Sequence, residues 1–175
     1  MMPVQSDDRL AEASFTIGRL FAARRERVFK LWTDPAYVAE WWGIEGSTNP
    51  VCELDVRAGG RWRIDMRTRS GRVYRNQGVY LEVVENVRLV YTDVPDPTLP
   101  EWNGAPPAPG VHTVTFADRG EGTFVTLEVR LSSEAERDRV LKLGVRTGIG
   151  QSFDRLERLL GAIAEGCEPS IPPTP

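Results

Sequence analysis

The order of apolar and polar positions along the chain predicts seven strands. Residues 14–21 alternate between large apolar and small or polar side chains, which is the two-residue period of a half-buried strand. The same alternation returns in six later segments, at residues 51–56, 61–69, 72–84, 87–94, 111–117 and 123–131. Turn-forming residues such as glycine, serine and asparagine separate most of these segments, so we expect antiparallel neighbours in a meander.

Helical spacing appears directly after the first strand and again near the end of the chain. Val28, Leu31 and Trp32 share one helix face, and Asp34 followed by Pro35 is typical of the start of a second short helix. The last helix carries a continuous apolar stripe, formed by Ile149, Phe153, Leu156, Leu160 and Ile163. This order of elements predicts an α+β fold, in which a curved antiparallel sheet wraps around the long C-terminal helix and two short helices follow the first strand.

The strand alternation also assigns side chains to the two faces of the sheet. Arg75 and Gln77 have the same parity as Val79 and Leu81, which places them beneath an apolar face. Two interpretations remain open. Either both side chains orient a ligand in a pocket, or a bulge near Gly78 turns them to solvent.

Segment 95–110 breaks this regularity, because its six prolines prevent a helix or a central strand. A loop of this length inside a domain is typical of a functional segment. We predict that it is a mobile lid over a pocket mouth with Trp102 as its anchor; the alternative is a disordered insertion in which Trp102 contacts nothing. The chain length fits one domain, predicted at residues 13–166, with disordered ends at residues 1–12 and 167–175.

Composition and charge argue against several classes of protein. A net charge of -3 argues against binding of nucleic acid through its phosphate backbone. Cys52 and Cys167 lack the clustered spacing of a redox pair or a zinc site, and the single histidine, His112, excludes a multi-histidine metal site. We therefore expect no metal and no cofactor. The chain shows neither a membrane-length apolar run nor a secretion leader, so we expect no membrane span and a cytoplasmic location.

The candidate ligand-binding residues are mainly aromatic side chains. Trp42 and Trp62 end predicted elements where a cavity mouth would form, and their rings could hold a flat or lipidic molecule; packing in the core is the alternative. His112 shares the parity of Val114 and Phe116, so it faces either the cavity or, as a histidine at a strand end, a neighbouring loop. The full set of candidates is Trp42, Trp62, Met66, Arg75, Gln77, Tyr91, Trp102, His112 and Phe153.

A family resemblance extends from the first strand to the end of the last helix. The runs that carry it are Val28-Phe29 with Trp32-Thr33-Asp34-Pro35, then Trp41-Trp42-Gly43, Gly59-Gly60-Arg61-Trp62-Arg63, Gly78-Val79-Tyr80-Leu81-Glu82 and Gln151-Ser152-Phe153-Asp154-Arg155-Leu156. In these runs the chain resembles the bacterial proteins named for the C-terminal domain of the activator of Hsp90 ATPase. That family belongs to the START-like (SRPBCC) superfamily, and the resemblance implies its Bet v 1-type helix-grip fold.

The resemblance implies three functions that differ in kind. The first expectation is a small hydrophobic molecule bound in a cavity between the sheet and the last helix. The second is a chaperone-interacting module that uses the arginine-rich outer face of residues 57–75. The third is a cyclase-like or hydrolase-like enzyme with His112 as general base and Tyr91 as proton donor. The sequence contains no P-loop, HExxH or GxSxG motif, so we favour a non-enzymatic protein, and we leave open whether it forms a homodimer.

Overall fold

The computed structural model of the 175-residue chain describes residues 13–167. The predicted N-terminal segment 1–12, and all of the predicted C-terminal tail except Cys167, lie outside the described residues. The described chain has one sheet, with helices inserted after the first strand and following the last.

The sheet contains the seven strands that the alternation predicts, all of them antiparallel to their neighbours. Their spatial order is β1-β7-β6-β5-β4-β3-β2, so the first strand pairs with the last one and the meander continues from there to the opposite edge. The strands are β1 Ser14–Phe21, β2 Thr48–Leu54, β3 Arg61–Arg67, β4 Val73–Val84, β5 Arg88–Asp93, β6 Gly110–Arg119 and β7 Gly122–Arg130.

Two short helices connect β1 to β2, as predicted. Helix α1 spans Arg25–Thr33 and helix α2 spans Pro35–Trp41. Between them, the carboxylate of Asp34 accepts a hydrogen bond of 3.0 Å from the backbone N–H of Ala36, which satisfies one free donor at the start of α2. The inner faces of both helices contribute buried side chains to the core.

Two further helices follow β7. Helix α3 spans Glu134–Lys142, and Ser133 caps it by accepting a hydrogen bond from the backbone of Glu136. Helix α4 spans Val145–Ala164 and packs its predicted stripe on the core, with Phe153, Leu156 and Leu160 buried. Gly144 joins the two helices at φ 86°, a backbone conformation that favours glycine and lets the chain change direction there. The predicted α+β helix-grip fold is confirmed.

The face assignment of β4 differs from the prediction. The inner face carries Tyr74, Asn76, Gly78 and Tyr80, whereas Leu81 is 51% exposed. Gly78 explains why this set of residues faces inward, because a Cβ atom at position 78 would lie 1.8 Å from the carbonyl oxygen of Thr92 and 2.7 Å from Nε1 of Trp62. Glycine at this position lets the indole of Trp62 close over the strand. The bulge falls later than predicted, between Tyr80 and Glu82.

Arg155 on α4 holds the turn after α2 against the helix. Its Nη1 donates to the carbonyls of Trp42 and Ile44 at 2.9 and 3.0 Å, and its Nη2 donates to those of Glu40 and Ser47 at 2.8 and 3.1 Å. A planar guanidinium with five N–H donors suits such a set of acceptors. The position of the turn 43–47 is therefore fixed by this one side chain together with its neighbours on α4.

Candidate functional site

The predicted aromatic site at Trp42 and Trp62 is closely packed. Trp62 lies edge-on to Tyr91, with 5.5 Å between ring centroids, and 5.9 Å from Trp42. Its Nε1 donates a hydrogen bond of 3.0 Å to the carbonyl of Thr92. The void that these residues line measures about 20 Å³, which is room for roughly one water molecule. In the structure these rings are therefore surrounded by core side chains, as the core-packing alternative expects.

Phe153 is likewise a core residue. It is 1% exposed, and its ring meets Phe21 and Trp32 edge-on at centroid distances of 5.7 and 6.1 Å. Edge-to-face packing of this kind is favourable for aromatic rings. The place expected for a ligand, beside Trp62 and Phe153, is thus filled by protein side chains.

A much larger cavity, about 400 Å³, lies at the other end of the sheet. The loop 94–109 covers one side of it, and the junction between α3 and α4 covers another. Its apolar lining comes from strands and helices together, and includes Met66, Val129, Leu131, Val140, Leu143 and Val145. Of the predicted ligand-binding residues, Met66, Arg75, Trp102 and His112 line this cavity, whereas Trp42, Trp62, Gln77, Tyr91 and Phe153 do not.

Arg75 and Gln77 point to the outer face of the sheet, because β4 has the parity described above. Arg75 borders the cavity only at its edge, and its Nε lies 3.6 Å from Oδ1 of Asp65 on that outer face. Gln77 lies in a shallow outer cleft beside Arg63 and Val79. Both side chains therefore lie on the outer face rather than beneath an apolar one, because the alternation of β4 has apolar residues on both faces and does not reveal the inner one. Arg75 lines the cavity and Gln77 does not, so a ligand-orienting role stays a prediction for Arg75.

Trp102 is half-buried at the edge of the cavity. It ends a single 3-10 turn, Pro100–Trp102, and its Nε1 donates a hydrogen bond of 3.0 Å to the carbonyl of Asp96. The guanidinium of Arg139 on α3 lies 5.4 Å from the indole centroid and donates to the carbonyls of Trp102 and Ala105. The loop thus contacts α3 through Trp102, and its role as a lid stays a prediction.

Asp93 and His112 form the polar end of the cavity. Asp93 ends β5, His112 lies on the neighbouring strand β6, and Nε2 of the imidazole is 3.7 Å from Oδ2 of the carboxylate. Burial raises the pKa of Asp93 to about 6 and lowers the pKa of His112 to about 4. The imidazole is therefore neutral near pH 7, whereas the carboxylate is mostly ionised.

Tyr91 lies behind this pair. Its ring is 5.1 Å from the His112 ring at an interplanar angle of 33°, and burial raises the pKa of its hydroxyl well above the usual value. The enzyme alternative assigned these two residues as proton donor and base. The structure brings them into contact, but it is Asp93 rather than Tyr91 that shares the cavity with His112.

Sequence reasoning missed Asp93, although a signal for it exists. Leu89, Tyr91 and Asp93 alternate along β5, and the first two are buried on the inner face. An acidic residue that continues an apolar parity into the interior is uncommon, because an ionised carboxylate is costly to bury without a partner.

We expect Asp93→Asn to increase the free energy of unfolding at pH 8 by about 1 kcal/mol. In a domain of this size such a change raises the unfolding temperature by a few degrees. With its pKa raised to about 6, the carboxylate is charged at pH 8 and mostly protonated at pH 5. The unfolded carboxyl ionises near its usual pKa of about 3.9, so the stability of the wild type should fall as pH rises from about 4 to 6 and then stay level. The benefit of asparagine at pH 5 should therefore be about half of its value at pH 8. Thermal unfolding at both pH values measures this. The exposed Asp118→Asn serves as control, and an equal effect of the two variants would contradict the assignment.

Comparison with known proteins places this fold in a family. Residues 22–161 match the family model described as activator of Hsp90 ATPase homolog 1-like protein, and the chain belongs to that family. Among proteins with curated descriptions, none matches this chain.

Solved structures share the fold at low sequence identity. A protein from Nitrosomonas europaea is 22% identical, with a TM-score of 0.77 over 89% of this chain and 98% of that one. A protein from Chromobacterium violaceum is 27% identical, with a TM-score of 0.67 over 84% and 96% of the two chains. The AHSA1 protein from Silicibacter pomeroyi is 22% identical, with a TM-score of 0.70 over 85% and 98%.

Two further properties of residues 13–167 bear on the site. None of the helices in this part of the chain is long and apolar enough to span a membrane. The same residues contain no group of three or more histidine, cysteine or carboxylate side chains arranged to hold a metal ion.

Proposed function

We propose that this protein binds a small, largely apolar molecule in the cavity beneath the loop 94–109. The observation that carries the proposal is the apolar lining of this cavity. Its volume, about 400 Å³, lies within the range of roughly 300–1,000 Å³ that small-molecule sites occupy. Three outer clefts reach about 400–480 Å³ as well, but charged side chains such as Arg24, Arg27 and Arg61 line them. The cavity lining is mostly hydrophobic, with polar side chains on the strand ends and on the loop, among them Asn76, Asp93, Glu101 and His112. An apolar lining that carries a limited number of polar groups is typical of such sites.

The contrast with the neighbouring aromatic cluster supports a binding role. Protein interiors pack as densely as organic crystals, and the cluster around Trp62 follows that rule with a void of only about 20 Å³. The larger cavity lies in the same domain, yet buried apolar residues such as Val129, Leu131 and Val140 line it without filling it. A molecule that enters the cavity would cover its more exposed apolar lining, such as Ile44 and Leu143, and gain roughly 25 cal/mol for each Å² removed from water.

The rim of the cavity offers a route for such a molecule. Ile44 and Leu143 line the cavity and are 37% and 46% exposed, so apolar surface continues from the interior to solvent. Arg155 and Ser152 hold the turn that carries Ile44, which keeps this side of the mouth in place.

The chaperone alternative stays a prediction. Its proposed contact surface, the arginine-rich outer face, carries ion pairs: Arg57 lies 2.9 Å from Asp55, Arg63 lies 2.5 Å from Asp65, and Arg72 lies 2.7 Å from Glu101. These partners offset part of the positive charge that the sequence places there.

Gly148→Leu tests the proposed binding site without removing a core contact. Gly148 lines the cavity on the first turns of α4, and a Cβ atom there would meet only Cγ2 of Ile44, at an ordinary 3.6 Å. A leucine should therefore fill the mouth, while the loss of a helix-interior glycine favours the fold by up to about 1 kcal/mol. We expect the neutral fluorescent probe N-phenyl-1-naphthylamine to bind the variant at least about tenfold more weakly than the wild type.

The matched control is Gly161→Leu on the same helix. Gly161 has nothing within 4 Å of its Cβ position and does not line the cavity, so this variant should bind the probe like the wild type. Fluorescence titration gives the affinities, and thermal unfolding verifies that both variants fold. A wild type that does not bind the probe, or a folded Gly148→Leu variant with unchanged affinity, would refute the proposed function.

A further inference from the structure

The polar end of the cavity contains one carboxylate without a cation. The carboxylate of Asp93 lines the cavity, with 36% of the side chain accessible there. Within residues 13–167 no hydrogen bond or ion pair reaches this carboxylate other than the 3.7 Å approach of His112. A distance of 3.7 Å is too long for a hydrogen bond. The His112 imidazole is neutral near pH 7, so it does not supply the missing positive charge.

Three other charged side chains line the cavity within the described residues, and none of them pairs with Asp93. Arg75 faces Asp65 at 3.6 Å, and Glu101 accepts hydrogen bonds from Arg72 at 2.7 Å and from the hydroxyl of Tyr74 at 3.2 Å. Asp96 accepts from the backbone and the hydroxyl of Thr98 at 2.9 and 2.6 Å. Asp96 and Glu101 are themselves negative, so neither can neutralise Asp93, and Arg75 points to the outer face of the sheet. Burial alone raises the pKa of Asp93, so no neighbouring cation lowers it.

The helices on the opposite side of the cavity add no charge. The residues that α3, α4 and their junction contribute are Val140, Leu143, Gly144, Val145 and Gly148. From β5, the buried and uncharged Tyr91 lies next to the pair. The cavity therefore combines an apolar body with an end formed by the carboxylate of Asp93 and the neutral imidazole of His112. Within the described residues this end contains no cationic hydrogen-bond donor.

We propose that the cavity selects apolar molecules that carry a cationic amino group, and that this group pairs with Asp93 while the apolar part lies against Leu131, Val140 and Val145. An ammonium group has three donors and no acceptor, so it can satisfy the carboxylate and also reach the neighbouring imidazole. Charge-assisted hydrogen bonds of this kind are about twice as strong as neutral ones. The inference rests on the proposed binding function and adds the chemical class of the ligand.

The same arrangement rejects carboxylic acids. A ligand carboxylate placed at this end would lie beside Asp93, and two like charges in a partly buried site repel each other. Neutral alcohols should fall between the two, because a hydroxyl can donate one hydrogen bond to Asp93 but brings no charge.

Displacement of N-phenyl-1-naphthylamine by octylamine, 1-octanol and octanoate tests the proposal, because the three competitors share one chain and differ in their polar group. At pH 7 we expect octylamine to bind about tenfold more tightly than 1-octanol, which is a difference of about 1.4 kcal/mol, and octanoate to bind most weakly. In Asp93→Asn the amine should lose its advantage, while the affinity for 1-octanol changes little. The exposed Asp118→Asn removes the same charge far from the cavity and should keep the wild-type order.

The pH dependence gives a second readout. Octylamine stays protonated across this range, so pairing requires the ionised form of Asp93, whose pKa is about 6 in the free protein. Its affinity should fall about tenfold between pH 7 and pH 5 in the wild type and stay constant in Asp93→Asn.

The outcomes separate this inference from the proposed function. If neither the probe nor any of the three competitors binds, the proposed function fails. If the probe and 1-octanol bind but octylamine shows no advantage, or if the advantage survives in Asp93→Asn, only the preference for an amine is overturned.

Discussion

Replacing Arg155 by alanine should destabilise the fold by about 2–4 kcal/mol, because each net hydrogen bond to a charged group contributes about 1.5–3 kcal/mol and some of the freed acceptors find other donors. Four backbone carbonyls and the hydroxyl of Ser47 accept from this guanidinium. Asn49 already donates to one of these carbonyls, that of Trp42, which limits the loss. For a domain of this size the unfolding temperature should fall by about 5–15 °C.

Two other variants make this result specific. Arg158 lies one turn further along α4 and forms an exposed ion pair with Glu45, so Arg158→Ala should change stability by less than about 1 kcal/mol. Arg155→Lys keeps the charge but lacks the planar fork, and we expect it to recover less than half of the loss. Equal destabilisation by Arg155→Ala and Arg158→Ala in thermal unfolding would show that the guanidinium does not hold the turn.

Replacing Trp102 by alanine should leave the fold intact and weaken binding of N-phenyl-1-naphthylamine by about 1–3 kcal/mol, or roughly 5-fold to 150-fold. The indole lines the cavity and connects the loop 94–109 to Arg139. Its removal should therefore take away a contact with the ligand and also loosen this loop. As a half-buried loop residue it contributes little to the core, and stability should change by no more than about 1 kcal/mol.

Trp102→Phe is the matched control for that variant. This variant keeps an aromatic ring against Arg139, so most of the affinity should remain. It loses only the Nε1 hydrogen bond to the carbonyl of Asp96. Fluorescence titration compares the three proteins. Unaltered affinity in Trp102→Ala would remove the loop from the binding site and with it the prediction of a lid.

The sequence predicts most of the fold because its strongest signals are local. The stripe of α4, the cap at Asp34 and the alternation of six strands each depend on neighbours within a few residues. β4 is the exception, since it places Val73, Val79 and Leu81 on one face and Tyr74 and Tyr80 on the other. Both parities look apolar there, and the choice is made by Gly78, whose missing side chain admits Trp62 from the adjacent strand.

The candidate site was harder to predict because distant segments build it. Trp42 and Trp62 have the composition of a pocket, but their rings fill the space between them, and only the distances between rings reveal this. The actual cavity depends on the angle between α3 and α4 at Gly144 and on the course of loop 94–109. Neither follows from periodicity. Of the nine candidate residues, Met66, Arg75, Trp102 and His112 nevertheless line the cavity.

Titration of ¹⁵N-labelled protein with N-phenyl-1-naphthylamine, followed through the indole N–H resonances, tests most directly that the ligand occupies the cavity beneath the loop. The tryptophans report on the two alternative sites, because Trp102 borders the cavity, whereas Trp41 and Trp62 hydrogen-bond inside the aromatic cluster to the carbonyls of Leu31 and Thr92. Trp102→Phe assigns the reporting resonance. We predict a saturating shift of the Trp102 signal with the Trp41 and Trp62 signals nearly unchanged; a larger shift at Trp62, or no saturating shift at any indole, would contradict the account.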